Sequence, residues 1–530
     1  MNKENDPRIQ GAGRFAALVA AGILLSRIFG LIRDRVFAHY FGSGDAADAF
    51  KAAFRIPNFL QNLFGEGVLS ASFIPVYAGL IARGKEEEAN RVAGSIAALL
   101  ALLMAVLVLA GIAATPLLVA AIAPGFEGDK RDATVAMVRI LFPGAGLLVM
   151  SAWCLGILNS HRKFLLPYAA PVIWNTALIV TMAFFGGSHG EYPLAVILAW
   201  GSVAGSALQL LIQLPSVLRL ARGLRLFPDI SLSGVKTVAV NFVPVFVSRG
   251  VVQVSAFIDE LLASLLPTGA VAAFSYAQTL YLLPVSLFGM SVSAAELPVM
   301  SSAIGGADEV AAQLRARLNS GLRRIAFFIV PSAAAFLAFG DIIAGAIYQT
   351  GKFGRADAVY VWAILAGSAV GLLASTQGRL YSSAFYALRD TRTPLYFALV
   401  RVALTTLLGY LCSQRLPGLL GIATRWGVAG LTASAGIAAW IEFSLLRRGL
   451  AHRIGKTGLR PKFLLALWGA AGLGAAAGWG AKIAIGDIHP IVAAFLVLGL
   501  FGGIYLACAM LMKIPEIRGV TARLGRFIKK

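Results

Sequence analysis

Apolar residues run along this chain in blocks, each roughly twenty residues or more, with short polar segments between them. A helix rises about 1.5 Å per residue, so about twenty apolar residues cross a hydrocarbon core about 30 Å thick. The blocks lie at about 15–35, 46–77, 92–122, 134–158, 164–185, 194–218, 234–262, 271–300, 325–347, 359–386, 394–414, 422–446, 464–485 and 491–512. Inside lipid a backbone must satisfy its own hydrogen bonds, so blocks of this length predict helices. The alternating ten-residue segments of an outer-membrane barrel are absent. The expected fold is therefore an all-α integral membrane protein with about fourteen transmembrane helices.

Composition agrees with the pattern. Of 530 residues, 58% are hydrophobic and only 13% charged, and the mean hydropathy is +0.79; a soluble domain carries about twice that charge. The net charge of +21 could suggest nucleic acid, but its distribution points elsewhere. With the N-terminus placed inside, about thirty Lys and Arg fall in cytoplasmic segments and about six in the opposite ones. Arg219, Arg222 and Arg225, then Arg447, Arg448, Arg453 and Lys456, are examples. That bias predicts both termini in the cytoplasm, and the basic loops read as contacts to anionic membrane lipids. No nucleic-acid partner is expected.

Little in the chain suggests enzymatic chemistry. Cys154, Cys412 and Cys508 show no metal or disulfide spacing, and the five histidines are scattered. Gly455-Lys456-Thr457 imitates the end of a phosphate-binding loop, but five residues rather than four separate it from the nearest upstream glycine, Gly449, and a span precedes it rather than a strand. No ATP site, metal or cofactor is expected, and the chain reads as a transporter rather than an enzyme.

The chain also repeats itself. Ala49-Phe50 and Phe64-Gly65 recur as Ala273-Phe274 and Phe288-Gly289, an offset of 224 without a gap. Ala53, Leu63, Val68 and Ala71 match Ala277, Leu287, Val292 and Ala295 at the same offset. Upstream, Ser26-Arg27 matches Ser248-Arg249 after a two-residue insertion. Six spans separate the copies, so both would cross in the same direction. The expected architecture is two parallel-repeat six-helix lobes, residues 1–225 and 226–460, with two further helices and a basic tail in 461–530. Transporters built on such repeats bind cargo between lobes that rock against each other. Spans thirteen and fourteen are rich in Gly and Ala, which favours close helix packing there.

Charges inside spans cost at least a few kcal/mol against lipid and mark functional positions. Span one carries Ser26, Arg27, Gly30, Arg33 and Asp34 on one helix face. Span two carries Asp48, Arg55, Asn58, Asn62 and Glu66, the last four as a stripe at helical spacing, with Pro57 expected to kink the helix beside them. Span seven carries Arg249, Asp259 and Glu260, and span eight carries Gln278, Gly289, Ser293 and Glu296. Arg27, Arg33 and Arg249 are the expected cargo ligands, because arginine's planar fork suits phosphate oxygens. Ser26, Arg55, Asn58, Asn62 and Gln278 would line the same cavity. Asp34, Asp48, Glu66, Asp259, Glu260 and Glu296 would balance charge or gate it, with Arg27 to Asp34 and Arg55 to Asp48 as the internal salt bridges considered. A cationic cavity implies an anionic cargo, such as a diphosphate.

The run from Ser26 to Asp34, followed by Phe41-Gly42, Asp48-Ala49-Phe50, Arg55-Ile56-Pro57-Asn58 and Glu66-Gly67, resembles the start of the MurJ (MviN) family. These are lipid II flippases of peptidoglycan synthesis, within the multidrug/oligosaccharidyl-lipid/polysaccharide exporter superfamily. The resemblance implies that Arg27 and Arg33 are needed in a central cavity and that Asp48 and Glu66 match its acidic positions. It also implies a lipid tail lying along spans thirteen and fourteen. Where well-studied members carry further arginines, this chain has Gln61 and, in Tyr276-Ala277-Gln278-Thr279, Thr279; Arg249 and Arg55 are expected to restore that charge from nearby. The expected function is translocation of lipid II across the bacterial inner membrane by alternating access. The alternative is a flippase for another polyprenyl-diphosphate glycan, an O-antigen or capsule unit. No acid sits in the middle of spans eleven or twelve, so sodium coupling is unsupported and membrane potential is the expected drive.

Overall fold

A computed structural model describes residues 7–486 and 488–517 of the chain. Twelve of its helices are long and apolar enough to cross a membrane. These are α2 (Asp45–Ala82), α3 (Glu86–Ile122), α4 (Gly128–Ser160), α5 (Leu165–Phe185) and α6 (Glu191–Leu220), then α8 (Ala270–Ser301), α10 (Arg355–Ala387), α11 (Arg392–Leu419), α12 (Thr424–Ile454), α13 (Pro461–Ile485) and α14 (Pro490–Leu511), with α9 over Ala307–Tyr348. Two more, α1 (Pro7–Phe41) and α7 (Ser233–Ser264), have 35 and 32 residues, enough for a crossing. Twelve and two make the fourteen that hydropathy predicts, and no strand occurs among the described residues.

The helices form two compact units. The first holds residues 1–265 and 350–352, the second 266–349 and 353–530. In the first, α4 is the hub: α2, α3 and α6 pack on it, α5 packs on α6, and α1 packs on α5. In the second, α8, α9 and α12 pack on α10, and α11 packs on α12. Spans two to six and eight to twelve thus repeat one packing scheme at a distance of six spans. The hubs match as well, with 78% of the apolar window buried in α4 and 67% in α10. The helices around them show apolar side chains outward: Leu102, Leu109 and Leu117 of α3 are 60–74% exposed, as lipid-facing residues must be.

α7 does not follow the scheme. It packs on α2 and α3 within the first unit, so the packing boundary at 265 lies one helix beyond the lobe boundary expected at 225. The reason is aromatic and small-residue contact. Phe64 stacks on Phe242 at 5.8 Å, Phe59 meets Phe257 edge-on at 5.1 Å, and Gly234 sits against Val92 and Val76.

Both repeat copies depart from the regular α-helix at the same place. α2 runs through Pro57 and breaks instead at Gly65, whose backbone is extended. A Cβ there would lie 2.2 Å from the Gln61 carbonyl oxygen, so only glycine fits. Its counterpart at the 224 offset, Gly289, lies in a π-helical turn, Val285–Met290, in the middle of α8. Such turns replace regular hydrogen bonding where a helix is bent for a purpose.

α13 and α14 pair with each other and lie on α9. Their glycines are the points of closest approach, as the small-residue pattern predicts. A Cβ at Gly474 would lie 2.8 Å from the Phe501 carbonyl oxygen, and one at Gly478 2.6 Å from Phe339 Cζ.

Candidate functional site

The ionisable groups predicted inside spans one and two do gather in the first unit, as three separate charge clusters. The first centres on Asp34, which is 3% exposed. One oxygen, Oδ1, accepts from Arg33 Nη2 at 2.9 Å and Nε at 3.3 Å, and from Lys51 Nζ of α2 at 3.4 Å. The third guanidinium nitrogen of Arg33 donates to Asn175 Oδ1 on α5 at 3.1 Å, and its carbon lies 5.1 Å from the Trp174 ring centre. Arg33 is therefore fixed from two sides while its side chain stays 23% exposed. Two cations face one carboxylate, which leaves the cluster with a net positive charge.

The second cluster joins Arg55 of α2 to Glu260 of α7, Nε to Oε2 at 2.7 Å, with Glu260 almost fully buried. The contact is close but badly directed, for neither Glu260 oxygen completes a well-aligned hydrogen bond among the described residues. The attraction here is mainly Coulombic. The third cluster lies where α2 begins. Lys130 of α4 donates to Asp48 Oδ2 at 2.7 Å and lies 2.9 Å from Asp45 Oδ1; Asp48 is 1% exposed.

These partners correct the pairing inferred from helical spacing. The cation that holds Asp48 is Lys130, and the acid that holds Arg55 is Glu260, each on another helix. Spacing along one helix cannot register a partner eighty or two hundred residues away. Lys51, Lys130, Trp174 and Asn175 escaped the sequence reading altogether. Lys51 follows Asp48-Ala49-Phe50 inside a span, and the rarity of lysine there was the signal available. Lys130 lies near a helix end and gave none.

Arg27 is exposed on α1 and Ser26 half-buried beside it; Asn58 and Asn62 are half-buried on α2, Glu66 is exposed after the Gly65 break, and Asp259 is half-buried on α7. The side chain of Arg249 falls outside the described residues. Gln278 and Glu296 belong to the second unit, where Glu296 is 5% exposed and its Oε1 lies 3.6 Å from Arg324 Nη1.

A polytopic helical fold with a six-span packing repeat and ion pairs inside its spans defines a multi-pass membrane protein. Solved structures bear out the fold. An inward-facing multidrug resistance transporter of the MATE family, in the MOP superfamily, aligns with 82% of this chain and 98% of its own at a TM-score of 0.66 and 17% identity. A structure of the lipid II flippase MurJ in an inward closed conformation aligns with 94% of this chain and 98% of its own at 0.77 and 22% identity. The sequence profile described as lipid II flippase MurJ matches residues 37–498, and the chain belongs to that family. The lipid II flippase MurJ of Burkholderia cenocepacia is 33% identical over 445 residues, 83% of this chain and 84% of its own length. The probable lipid II flippase MurJ of Rhizobium meliloti is 32% identical over 448 residues, 82% and 80% of the two chains.

Proposed function

We propose that the chain is a lipid II flippase that serves peptidoglycan and cell-wall synthesis. The observation that carries this reading is its membership of the MurJ family over 37–498. In this reading the protein lies in the bacterial inner membrane with both termini cytoplasmic, catalyses no covalent step, and takes its drive from the membrane potential.

The charge clusters supply a physical route for the cargo. A diphosphate cannot cross about 30 Å of hydrocarbon unpaired, so it needs cations that can leave their present partners at low cost. Arg33 meets that need. Its exposed edge can turn a planar fork to phosphate oxygens, and when it does so Lys51 remains on Asp34. The buried carboxylate is then never left alone, a state that costs several kcal/mol. Arg27, exposed on the same helix, would add a second cation, and Trp174 with Asn175 would return Arg33 to its resting position. Lys51 is thus a positioning residue for Arg33. Asp48–Lys130 and Arg55–Glu260 would break and remake as the protein alternates its access.

The test is complementation of a strain depleted of its own lipid II flippase, with lipid II exposure at the outer face as readout. The wild-type chain should sustain growth and exposure. Arg27→Ala and Arg33→Ala should each abolish both at unchanged membrane abundance. Growth without lipid II exposure would refute the cargo assignment, and full activity of both variants would refute the arginine clamp.

A further inference from the structure

The loop between α6 and α7, residues 221–232, is fastened to α3 at three places. Asn90 Nδ2 donates to the Arg222 carbonyl at 2.9 Å. Gly94 lies so close to the Arg225 carbonyl oxygen that a Cβ there would stand 2.1 Å from it. Asp229 Oδ2 lies 3.6 Å from Arg91 Nη2. Turns inside the loop tie it further: Phe227 N donates to the Arg225 carbonyl and Asp229 N to the Phe227 carbonyl, both at 3.0 Å. Leu224 and Leu232 pack inward on the apolar core of the unit. Leu226, Phe227 and Ile230 do not, and they are 67–69% exposed. A loop held in this way displays three large apolar side chains at fixed positions, and such a cluster marks an interaction surface.

The fastening points also give its depth. Asn90 and Arg91 hold the two limbs of the loop, whereas Gly94, three to four residues further along α3, meets Arg225. At about 1.5 Å per residue the tip at Arg225–Phe227 lies about 5–6 Å nearer the middle of α3 than the limbs do. α3 carries no charge from Val92 to its end, so the tip is level with the start of its apolar stretch, where head groups give way to acyl chains. The exposed apolar face of α6, with Leu211 and Leu218, leads into the loop. Arg219, Arg222, Arg225 and Lys236 flank the apolar tip along the chain and are all exposed, and the one acid of the loop, Asp229, is already paired with Arg91.

We propose that this loop is a membrane anchor, in which Leu226, Phe227 and Ile230 enter the boundary layer of the bilayer and Arg222 and Arg225 hold the phosphates of anionic phospholipids. Apolar insertion and cationic attraction add at such a surface. The occupant is lipid rather than a second protein, because the tip continues the exposed face of α6 at the depth of the bilayer boundary and its uncompensated cations match anionic head groups. With the N-terminus in the cytoplasm, as in the reading above, six crossings make this the inner leaflet; the anchor rests on that reading for its side of the membrane and not for its cargo. The anchored loop leads directly into α7, which carries Glu260, and fixes the level at which that helix enters the bilayer.

The test places a nitroxide on the full chain at Phe227→Cys, with Cys412 and Cys508 replaced by Ala and the buried Cys154 left in place. The protein is reconstituted in nanodiscs of equal parts phosphatidylcholine and phosphatidylglycerol, which offer the same lipid to both faces. Paramagnetic resonance compares collisions of the label with oxygen, which concentrates among acyl chains, and with a water-soluble nickel chelate. The oxygen-to-nickel ratio should be several-fold higher at 227 than at Arg83→Cys, in the exposed turn before α3. Phosphatidylcholine alone, or Arg222→Gln with Arg225→Gln in the mixed bilayer, should roughly halve that excess. A ratio at 227 no higher than at 83 would overturn the anchor. Few collisions with either reagent would mean that protein covers the tip, and would overturn it as well. An excess that ignores both lipid charge and the two arginines would overturn the recognition of anionic heads. Should Phe227→Cys fail to fold, Ile230→Cys in the same scheme decides the matter.

Discussion

Lys51 should matter little to the resting protein and much to transport, and a cycle with Asp34 tests this. At an effective dielectric constant of about 20, a cation 3.4 Å from a carboxylate gains about 5 kcal/mol, and one at 2.9 Å about 6 kcal/mol. Desolvation takes back several kcal/mol per ion. Lys51→Met removes the weaker attraction together with its own desolvation, and Arg33 still neutralises Asp34, so the net loss should be about 1 kcal/mol. Asp34→Asn removes both attractions and leaves two cations facing a neutral amide. For a buried group that costs about 3–5 kcal/mol, toward the lower end here because Arg33 is 23% exposed. Removing Lys51 as well should then stabilise: Asp34→Asn with Lys51→Met should lie within about 2 kcal/mol of wild type. Stepwise heating in detergent followed by fluorescence-detected size exclusion gives the ranking. Lys51→Met should also slow lipid II translocation at normal abundance, since Asp34 then competes alone for Arg33. If Asp34→Asn is as stable as wild type, or if the double variant is no better than Asp34→Asn, the shared-carboxylate argument is wrong.

Three further outcomes can be measured. Arg55→Gln should impair both stability and transport by stranding Glu260, and the exchange Arg55→Glu with Glu260→Arg should recover part of each; a silent Arg55→Gln would remove that pair from the mechanism. Gly478→Ala places a Cβ about 2.6 Å from Phe339 Cζ and should cost about 1–3 kcal/mol through overpacking. Gly472→Ala, with no atom within 4 Å, should be tolerated, and equal melting of the two would contradict the packing of α13 on α9. His161, just past α4, bonds Tyr77 Oη at 3.1 Å, and burial holds it below its ordinary value of 6.5 against the pull of Glu86. The fold therefore favours neutral His161. Its contribution is present above about pH 6.5 and is lost as the pH falls below that value. Melting curves from pH 7.5 to 5 should show this loss, and His161→Gln should flatten it.

How much of this was legible in the sequence differs from feature to feature. The fourteen helices were, because a lipid core accepts only backbone that bonds to itself, and twenty apolar residues in a row leave no other solution. The repeat was also legible, down to Gly65 and Gly289, since a place where only a glycine fits, or where a helix changes its turn, leaves the same small residue in both copies. So was the presence of charge within spans one, two and seven, which the ion pairs at Asp34, Asp48 and Glu260 show, because a membrane makes each such charge expensive to keep. The partners of those charges were not. Helical spacing ranks neighbours on one helix, whereas Asp48 is held by Lys130 and Arg55 by Glu260, and only packing decides which faces of two distant helices meet. For the same reason the sequence placed α7 with the second lobe by repeat register, while aromatic contacts through Phe59 and Phe64 seat it on α2 in the first.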